Sequence, residues 1–303
     1  MAILILGGAD DDHAAHILQY LRTQGAEAEL LDSRAFPAEL KVACDPAGRT
    51  GMFRLPGGRC MEFGQIAAVY WRCYYGVGPS GLPDPEQAHI AQNDARSLFE
   101  SVLIDLPARW VNGFGAFQLH QTKPVQLARV AALGVRVPAT LLTNDPESVV
   151  AFVEQHPPCI FKPVQGGAHT RHVTSEHLTE ENLRNLAFAP VTIQEAVPGT
   201  DIRVFVAGRR VLACEIDTAA TDFRDDPAAQ ISPITLSPTM EDQCRRIARS
   251  LDLLWTGIDF RRTDEGEYIF LEANPSPMFL GFEQRTGLPL TESLAAVLLE
   301  PAA

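Results

Sequence analysis

The opening segment limits the possible folds more than any other. Ile3-Leu4-Ile5-Leu6 is an unbroken apolar run closed by Gly7-Gly8, a helical pattern through Ile17, Leu18 and Leu21 ends near Gly25, and Ala28-Glu29-Leu30-Leu31-Asp32 reads as a second strand. Strand, helix and strand in that order predict a parallel sheet with a right-handed crossover. The glycine pair is not a GxGxxG fingerprint, and Asp10-Asp11-Asp12 beside it would repel a dinucleotide phosphate. The region therefore reads as a scaffold or a substrate platform. The run Ile3 to Leu6 is too short for a signal-peptide core, and no apolar run approaches the roughly 20 residues of a membrane span. No membrane partner and a cytoplasmic location are expected.

Further along, residues 41–64 read as short strands joined by turns, Ala67 to Arg72 as a buried strand, Gly76 to Pro85 as a loop and His89 to Leu106 as a helix. Trp110-Val111-Asn112 opens a new segment at an expected domain boundary. From Lys123 the pattern gives a helix (Val125 to Leu133), a strand (Ala139 to Thr143), a helix opened by Asn144 or Asp145 with Pro146 (Glu147 to Gln155), and a strand (Cys159 to Pro163). Strands then dominate: Val191 to Glu195, Ile202 to Val206, Arg210 to Ile216 across a hairpin at Gly208, and Thr256 to Arg261 with Glu267 to Ala273 around Asp264-Glu265-Gly266. Residues 217–233 read as a mobile polar loop, Met240 to Leu251 as a helix and Leu290 to Leu299 as the last helix. The fold class is α/β passing into α+β, and 303 residues exceed one comfortable core, so two or three domains are expected.

Charge narrows the partners. A net charge of −13 makes nucleic acid an unsuitable ligand, because phosphate contacts need Lys and Arg. Such a balance leaves room for one local basic site, which is all that ATP with Mg²⁺ requires. The six cysteines are scattered without a CxxC pair and read as reduced thiols rather than disulfides or a zinc site. GxSxG, HExxH and GxxxxGK[ST] are all missing, which removes three common catalytic or nucleotide-binding devices.

Four pieces carry the chemistry. Lys123 precedes a helix, and taken alone is an ordinary surface charge. Lys162 stands in the apolar strand Ile160-Phe161-Lys162-Pro163, followed by Gly166-Gly167. A buried ammonium needs a partner, which a phosphate could supply, and glycines let backbone N–H groups approach phosphate oxygens; an edge-strand lysine and an ordinary turn would give the same letters. In Gln194-Glu195-Ala196-Val197-Pro198-Gly199-Thr200-Asp201-Ile202-Arg203 a strand breaks and restarts, freeing backbone groups that can read a base edge. Asp201 and Arg203 leave one face of the restarted strand; they could bind ribose and a phosphoryl or carboxylate group, or simply pair with each other. Finally, Asp259 can face Glu272 across a tight turn, and Glu272 and Asn274 share a strand face. Three hard oxygen donors in that arrangement suit Mg²⁺.

In this order the motifs resemble the ATP-grasp superfamily, with matching spacing from Lys123 to about Gly287. The resemblance is nearest to ligases that modify ribosomal-protein or peptide carboxylates, glutathione synthetase-like enzymes and graspetide (ω-ester and ω-amide) macrocyclases. Val69-Tyr70-Trp71-Arg72, Trp110-Val111-Asn112, Pro138-Ala139-Thr140-Leu141-Leu142-Thr143-Asn144 and Asp222-Phe223-Arg224 point to the last group. The resemblance implies a parallel α/β pre-ATP-grasp domain over 1–110, a small lid domain over 111–196 and a mixed-sheet catalytic domain over 197–303. It also implies roles: Lys123 and Lys162 on the α- and β-phosphates with Gly166 and Gly167 beside them, Gln194, Glu195 and Val197 at the adenine, and Asp201 at the ribose. Asp259, Glu272 and Asn274 would hold Mg²⁺, with Arg203 and Lys162 at the reacting phosphoryl group. Relatives of this kind often form homodimers. One departure is the loop after Lys162, where His169, Arg171 and His172 replace a longer glycine run.

The implied activity is a carboxylate ligase that forms an acyl phosphate from ATP and passes it to an amine or hydroxyl. A peptide or protein carboxylate is the leading substrate, a small amino acid the alternative, and a regulatory nucleotide-binding protein without catalysis a third.

Overall fold

The computed structural model describes residues 2–165, 169–218, 223, 226 and 228–300. The first part of the chain runs β1 (Ala2–Leu6), α1 (Asp12–Thr23), β2 (Ala28–Leu31), β3 (Lys41–Asp45), β4 (Thr50–Arg54), β5 (Cys60–Glu62), β6 (Ile66–Trp71), α2 (Pro85–Asp105) and β7 (Arg109–Val111). All five residues of β1 are buried, as a strand covered on both faces requires. It pairs in parallel with β2 and β6, and the sheet order is β2-β1-β6-β7. Asp11, from the acidic run, caps α1 by accepting from Ala14 N at 2.8 Å, satisfying a donor that the first helical turn leaves orphaned. Strands β3 to β5 form a small antiparallel sheet of their own.

The middle part runs α3 (Phe114–Gln121), α4 (Lys123–Ala131), β8 (Thr140–Thr143), α5 (Pro146–Gln155), β9 (Cys159–Lys162), β10 (Arg171–His172), α6 (Glu180–Leu183) and β11 (Val191–Glu195). Its strands form an antiparallel sheet in the order β10-β9-β11-β8, with a small core of Val149, Cys159 and Ile193 under α5. The last part runs β12 (Thr200–Ala207), β13 (Arg210–Asp217), β14 (Gln230–Ile234), α7 (Pro238–Ser250), β15 (Trp255–Arg262), β16 (Tyr268–Asn274), α8 (Leu280–Thr286) and α9 (Leu290–Leu299).

Strands β14-β13-β12-β15-β16 form a five-stranded sheet. Its four pairings are all antiparallel, so the mixed sheet expected in this part is an antiparallel one. Period-two alternation along β12 divides its residues between two cores. Ile202, Val204 and Val206 pack with Ile258, Phe260 and the α7 residues Met240, Cys244 and Ile247. Phe205 and Ala207 face the other way, into a core that also holds Ile3, Ile5 and Tyr70 of the first sheet and Leu294 and Leu298 of α9.

Four elements, β14, α3, α8 and β7, differ from expectation. Residues 230–233, read as part of a polar loop, lie in β14; it is an edge strand with exposed residues and Pro233, held by backbone pairing to β13. Helices α3 and α8 lack a sequence signal because neither has a side-chain cap and each carries a glycine in its first turn, Gly115 and Gly281. The segment expected to begin a new domain at Trp110-Val111-Asn112 starts as β7, the fourth strand of the parallel sheet. Beyond it, Ala116, Val130 and Val135 pack in the same core as β12 and α7.

Candidate active site

The site is assembled on one face of the five-stranded sheet by cross-strand register. Arg203 on β12 pairs directly with Asp259 on β15, and Asp259 with Glu272 on β16. Directly opposed residues share a face, so these three side chains form a charged row across three strands. A bulge between Asp259 and Phe260 changes the register on β16: Glu272 opposes Asp259, Phe270 opposes Phe260, and Leu271 is the extra residue. Asn274 comes two residues later, opposite Gly257. A Cβ at Gly257 would stand 2.8 Å from Pro277 Cβ, so the bare backbone there lets the segment after Asn274 pack closely over β15.

The row is held by ion pairs. Arg203 donates to Asp259 through both Nε and Nη2, the latter at 2.9 Å, a forked geometry that a planar guanidinium suits. Lys123, first residue of α4, donates from Nζ to Glu272 Oε2 at 2.6 Å. Lys162 ends β9 and donates to Gln194 Oε1 at 3.1 Å; Gln194 in turn donates to Thr140 Oγ1 at 2.8 Å. Thus α4, the β10-β9-β11-β8 sheet and the five-stranded sheet each bring one cation to the same place.

Burial sets the protonation. Desolvation pushes the Lys162 ammonium down, Lys123 adds to that, and Glu272 opposes it. Desolvation also raises Asp259, against Arg203, and the charge of Glu272 raises it further. Glu272 itself goes the other way, because Lys123, His120 and Lys162 outweigh its burial. Burial works against the charge of Arg203, but Asp259 overrides it and holds the guanidinium ionised.

Lys123, Lys162, Arg203, Asp259, Glu272 and Asn274 line a cavity of about 760 Å³ together with Asp201, His169 and two residues of α8, Arg285 and Phe282, whose ring lies 5.1 Å from the Arg203 guanidinium. That volume falls in the range of roughly 300–1,000 Å³ usual for ligand pockets. The adenine and ribose candidates are placed less directly. Asp201 shares the face of Arg203 as expected, but each pairs across to β15, Asp201 accepting from Arg261 Nη1 at 2.5 Å. Arg261 Nε also donates to Val197 O at 3.1 Å, so one of the backbone groups expected at the base is already bonded. Gln194 is buried, and Glu195 Oε2 accepts from Ala139 N at 3.1 Å. Gln194, Glu195 and Val197 are not among the cavity's described lining residues. Gly199 lies at φ 132°, and a Cβ there would land on the Arg262 carbonyl. Arg171 and His172 are exposed on β10. Gly166, Gly167, Asp222 and Arg224 lie outside the described residues.

Several supporting residues gave no sequence signal. Gln126 is buried in α4 and brackets Ala273, donating to its carbonyl at 2.9 Å and accepting from its N–H at 2.8 Å, which fixes the strand between Glu272 and Asn274. His120 donates from Nδ1 to the same carbonyl at 3.1 Å; burial pushes its pKa down. Both were invisible because a polar residue on an amphipathic helix has no distinguishing pattern until its partner is known.

Among the described residues no group of three or more His, Cys, Asp or Glu is placed to hold a metal ion. The donors present, two opposed carboxylates and the Asn274 amide oxygen, nevertheless fit Mg²⁺, which binds through one or two carboxylates and completes its shell with phosphate oxygens and water. Lys123 and Arg203, which hold those carboxylates, are groups of the kind that bind phosphate.

A family model described as the RimK-like ATP-grasp domain matches residues 120–298, more than half of the chain. The chain belongs to this family. The RimK-like match begins just before Lys123 and takes in both lysines, the charged row and α8. A solved ATP-grasp ligase, PsnB, complexed with a minimal precursor, is 33% identical and superposes with a TM-score of 0.85, covering 98% of this chain and 97% of that one. The macrocyclase MdnC from Microcystis aeruginosa, bound with precursor peptide MdnA, is 25% identical at a TM-score of 0.86, covering 99% and 100%. A probable alpha-L-glutamate ligase of Alkalilimnicola ehrlichii is 26% identical over 204 residues, 61% of this chain and 67% of the relative. Against the probable alpha-L-glutamate ligases of Xanthomonas campestris the alignment spans 60% of the relative's length. No helix among the described residues is long and apolar enough to cross a membrane.

Proposed function

We propose that this chain is an ADP-forming ligase that activates a peptide carboxylate with ATP and joins it to an amine or hydroxyl. The observation that carries the peptide substrate is likeness over the whole length: the precursor-bound ligase is 33% identical at a TM-score of 0.85 across 98% of this chain, including the parallel sheet that the family model leaves out. PsnB has also been solved with minimal precursor, Mg and ADP, at 33% identity, which supports ATP and Mg²⁺ as the cofactors here.

Lys123 and Lys162 bind the phosphate chain, and Arg203 binds the transferred phosphoryl group. Asp259, Glu272 and Asn274 hold Mg²⁺, which when bound offsets the negative charge that builds on the phosphate oxygens. The resemblance assigns Gln194, Glu195 and Val197 to the adenine, Gly166 and Gly167 to the phosphates and Asp201 to the ribose. The substrate carboxylate attacks the γ-phosphorus in line; the bond to the β-phosphate oxygen breaks and ADP leaves. The nucleophile then attacks the acyl carbon of the acyl phosphate, loses its proton, and expels inorganic phosphate. The protein's contribution is orientation and fixed charge rather than a nucleophile of its own. The cytoplasm, where ATP is available and the free cysteines stay reduced, is the proposed location.

The test is ADP release with ATP, Mg²⁺ and a panel of acids, followed by mass measurement of the product. Release that requires a peptide bearing Asp or Glu, with loss of one water from a cyclised product, is expected. Release only with free amino acids would replace the peptide substrate by a small acid.

A further inference from the structure

Asn274 is followed by Pro275 and Ser276, and this short stretch is held from outside its own sheet. Asn112, fully buried, donates from Nδ2 to Pro275 O at 2.6 Å. Arg72, which follows β6 in the parallel sheet, donates from Nη1 to both Ser276 O and Ser276 Oγ at 3.0 Å, and Ser276 Oγ donates back to Arg72 O at 2.8 Å. The guanidinium is itself fixed by Asp11, which accepts from Nε at 3.0 and 3.1 Å. Side-chain exposures of 11% for Arg72 and 13% for Asp11 place this pair away from solvent. At the other end, Ser276 N donates to Asn274 Oδ1 at 2.9 Å.

The sequence of contacts is therefore Asp11, Arg72, Ser276, Asn274. A carbonyl oxygen accepts along two lone-pair directions. The Ser276 N–H takes one at Asn274 and leaves the other for a cation in the cavity that Asn274 lines. Groups that orient a metal's ligands without touching the metal tune its affinity, and losing one typically costs about 10- to 100-fold. Arg72 touches neither the charged row nor any phosphate-binding lysine through a described hydrogen bond, yet it grips the residue that aims Asn274.

We infer that Arg72 is a positioning residue for the magnesium–nucleotide site: it fixes the Asn274 amide oxygen through Ser276 and makes the parallel sheet part of the metal-binding apparatus. This rests on the ATP and Mg²⁺ reading above. Lysine at position 72 would keep the charge but lose the fork that spans Asp11 and both oxygens of Ser276. Alanine at 276 would keep the backbone contacts and remove the two involving Oγ.

The experiment is calorimetric titration of the full chain with ADP, with and without Mg²⁺, for the wild type, Arg72→Lys and Ser276→Ala, with melting temperatures measured alongside. In Arg72→Lys the gain in affinity conferred by Mg²⁺ falls by about 10- to 100-fold while metal-free ADP binding is retained. Ser276→Ala shows the same loss in smaller measure, and still carries the test if Arg72→Lys fails to fold. A merely structural role would lower the melting temperature and leave the Mg²⁺ gain intact; that result overturns the inference. A wild type with no Mg²⁺ gain overturns the ATP reading itself, so the two failures are distinguishable.

Discussion

Glu272 stands between Lys123 and the Asp259 carboxylate, and its neighbours keep it ionised despite burial. Glu272→Gln preserves shape and removes the charge. ADP release should fall by about 10²- to 10³-fold while the circular dichroism spectrum stays native, since preorganised charge of this kind is worth that much in turnover. Full activity would remove Glu272 from the metal site. Arg203→Met has a different cost. It leaves Asp259 uncompensated beneath it, and losing one partner of a buried pair costs on the order of 3 kcal/mol, to be read from urea denaturation. His13 gives the pH dependence. Burial and then Arg72 depress its pKa to about 4, against a reference value near 6.5, so the folded state binds fewer protons than the unfolded chain between those values. Stability is then fully present above about pH 6.5 and falls as pH drops toward 4; His13→Gln should flatten that slope in melts between pH 4 and 7. At this scale Lys162, the acids and Arg203 were legible because charged letters interrupt apolar strands, whereas Lys123, at the start of a helix, was legible only through the order of the motifs. Their partners were not: Arg261 on Asp201, and Gln126 and His120 on Ala273, follow from register and helix placement that no short motif encodes.

Among the elements, those with unbroken apolar runs were read nearly as they stand. β1 and β6 announced themselves because a strand buried on both faces must be apolar along its length, and β12, β13, β15 and β16 because mostly apolar stretches stand between turns. The elements missed draw their stability from somewhere other than their own sequence. β14 depends on backbone pairing to β13, and α8 on Phe282 packing against Phe205 at a ring separation of 5.5 Å. Asn112 shows how much one polar side chain can connect. It accepts from the N–H groups of Leu254 and Trp255 and donates to Trp255 O and Pro275 O, tying the end of β7 to both strands that carry the proposed Mg²⁺ donors. Asn112→Ala would remove four hydrogen bonds to backbone groups, three of them buried, and should cost about 3 kcal/mol, visible as a lowered denaturation midpoint. An unchanged midpoint would mean that water replaces the amide without loss.

Across the whole molecule, the cavity exists because separate layers meet there. The parallel sheet and the five-stranded sheet share one core through Tyr70, Phe205, Trp255 and α9, and α4 delivers Lys123 from the opposite core. Cutting the chain after Gly287 would strip α9 from both sheets and should give an insoluble or unfolded product; a well-folded truncated protein would contradict the shared core. The layered α/β to α+β class was legible from the change in pattern along the chain. The sharing of cores was not, because it depends on which face of β12 meets which neighbour. The central claim, that the charged row and the two lysines form an ATP site, is tested most directly by calorimetric titration with a non-hydrolysable ATP analogue, with and without Mg²⁺, on the wild type and Lys162→Ala. Magnesium-dependent binding that is lost in Lys162→Ala while the fold is kept is the expected result. No binding by the wild type, or undiminished binding by the variant, would contradict it.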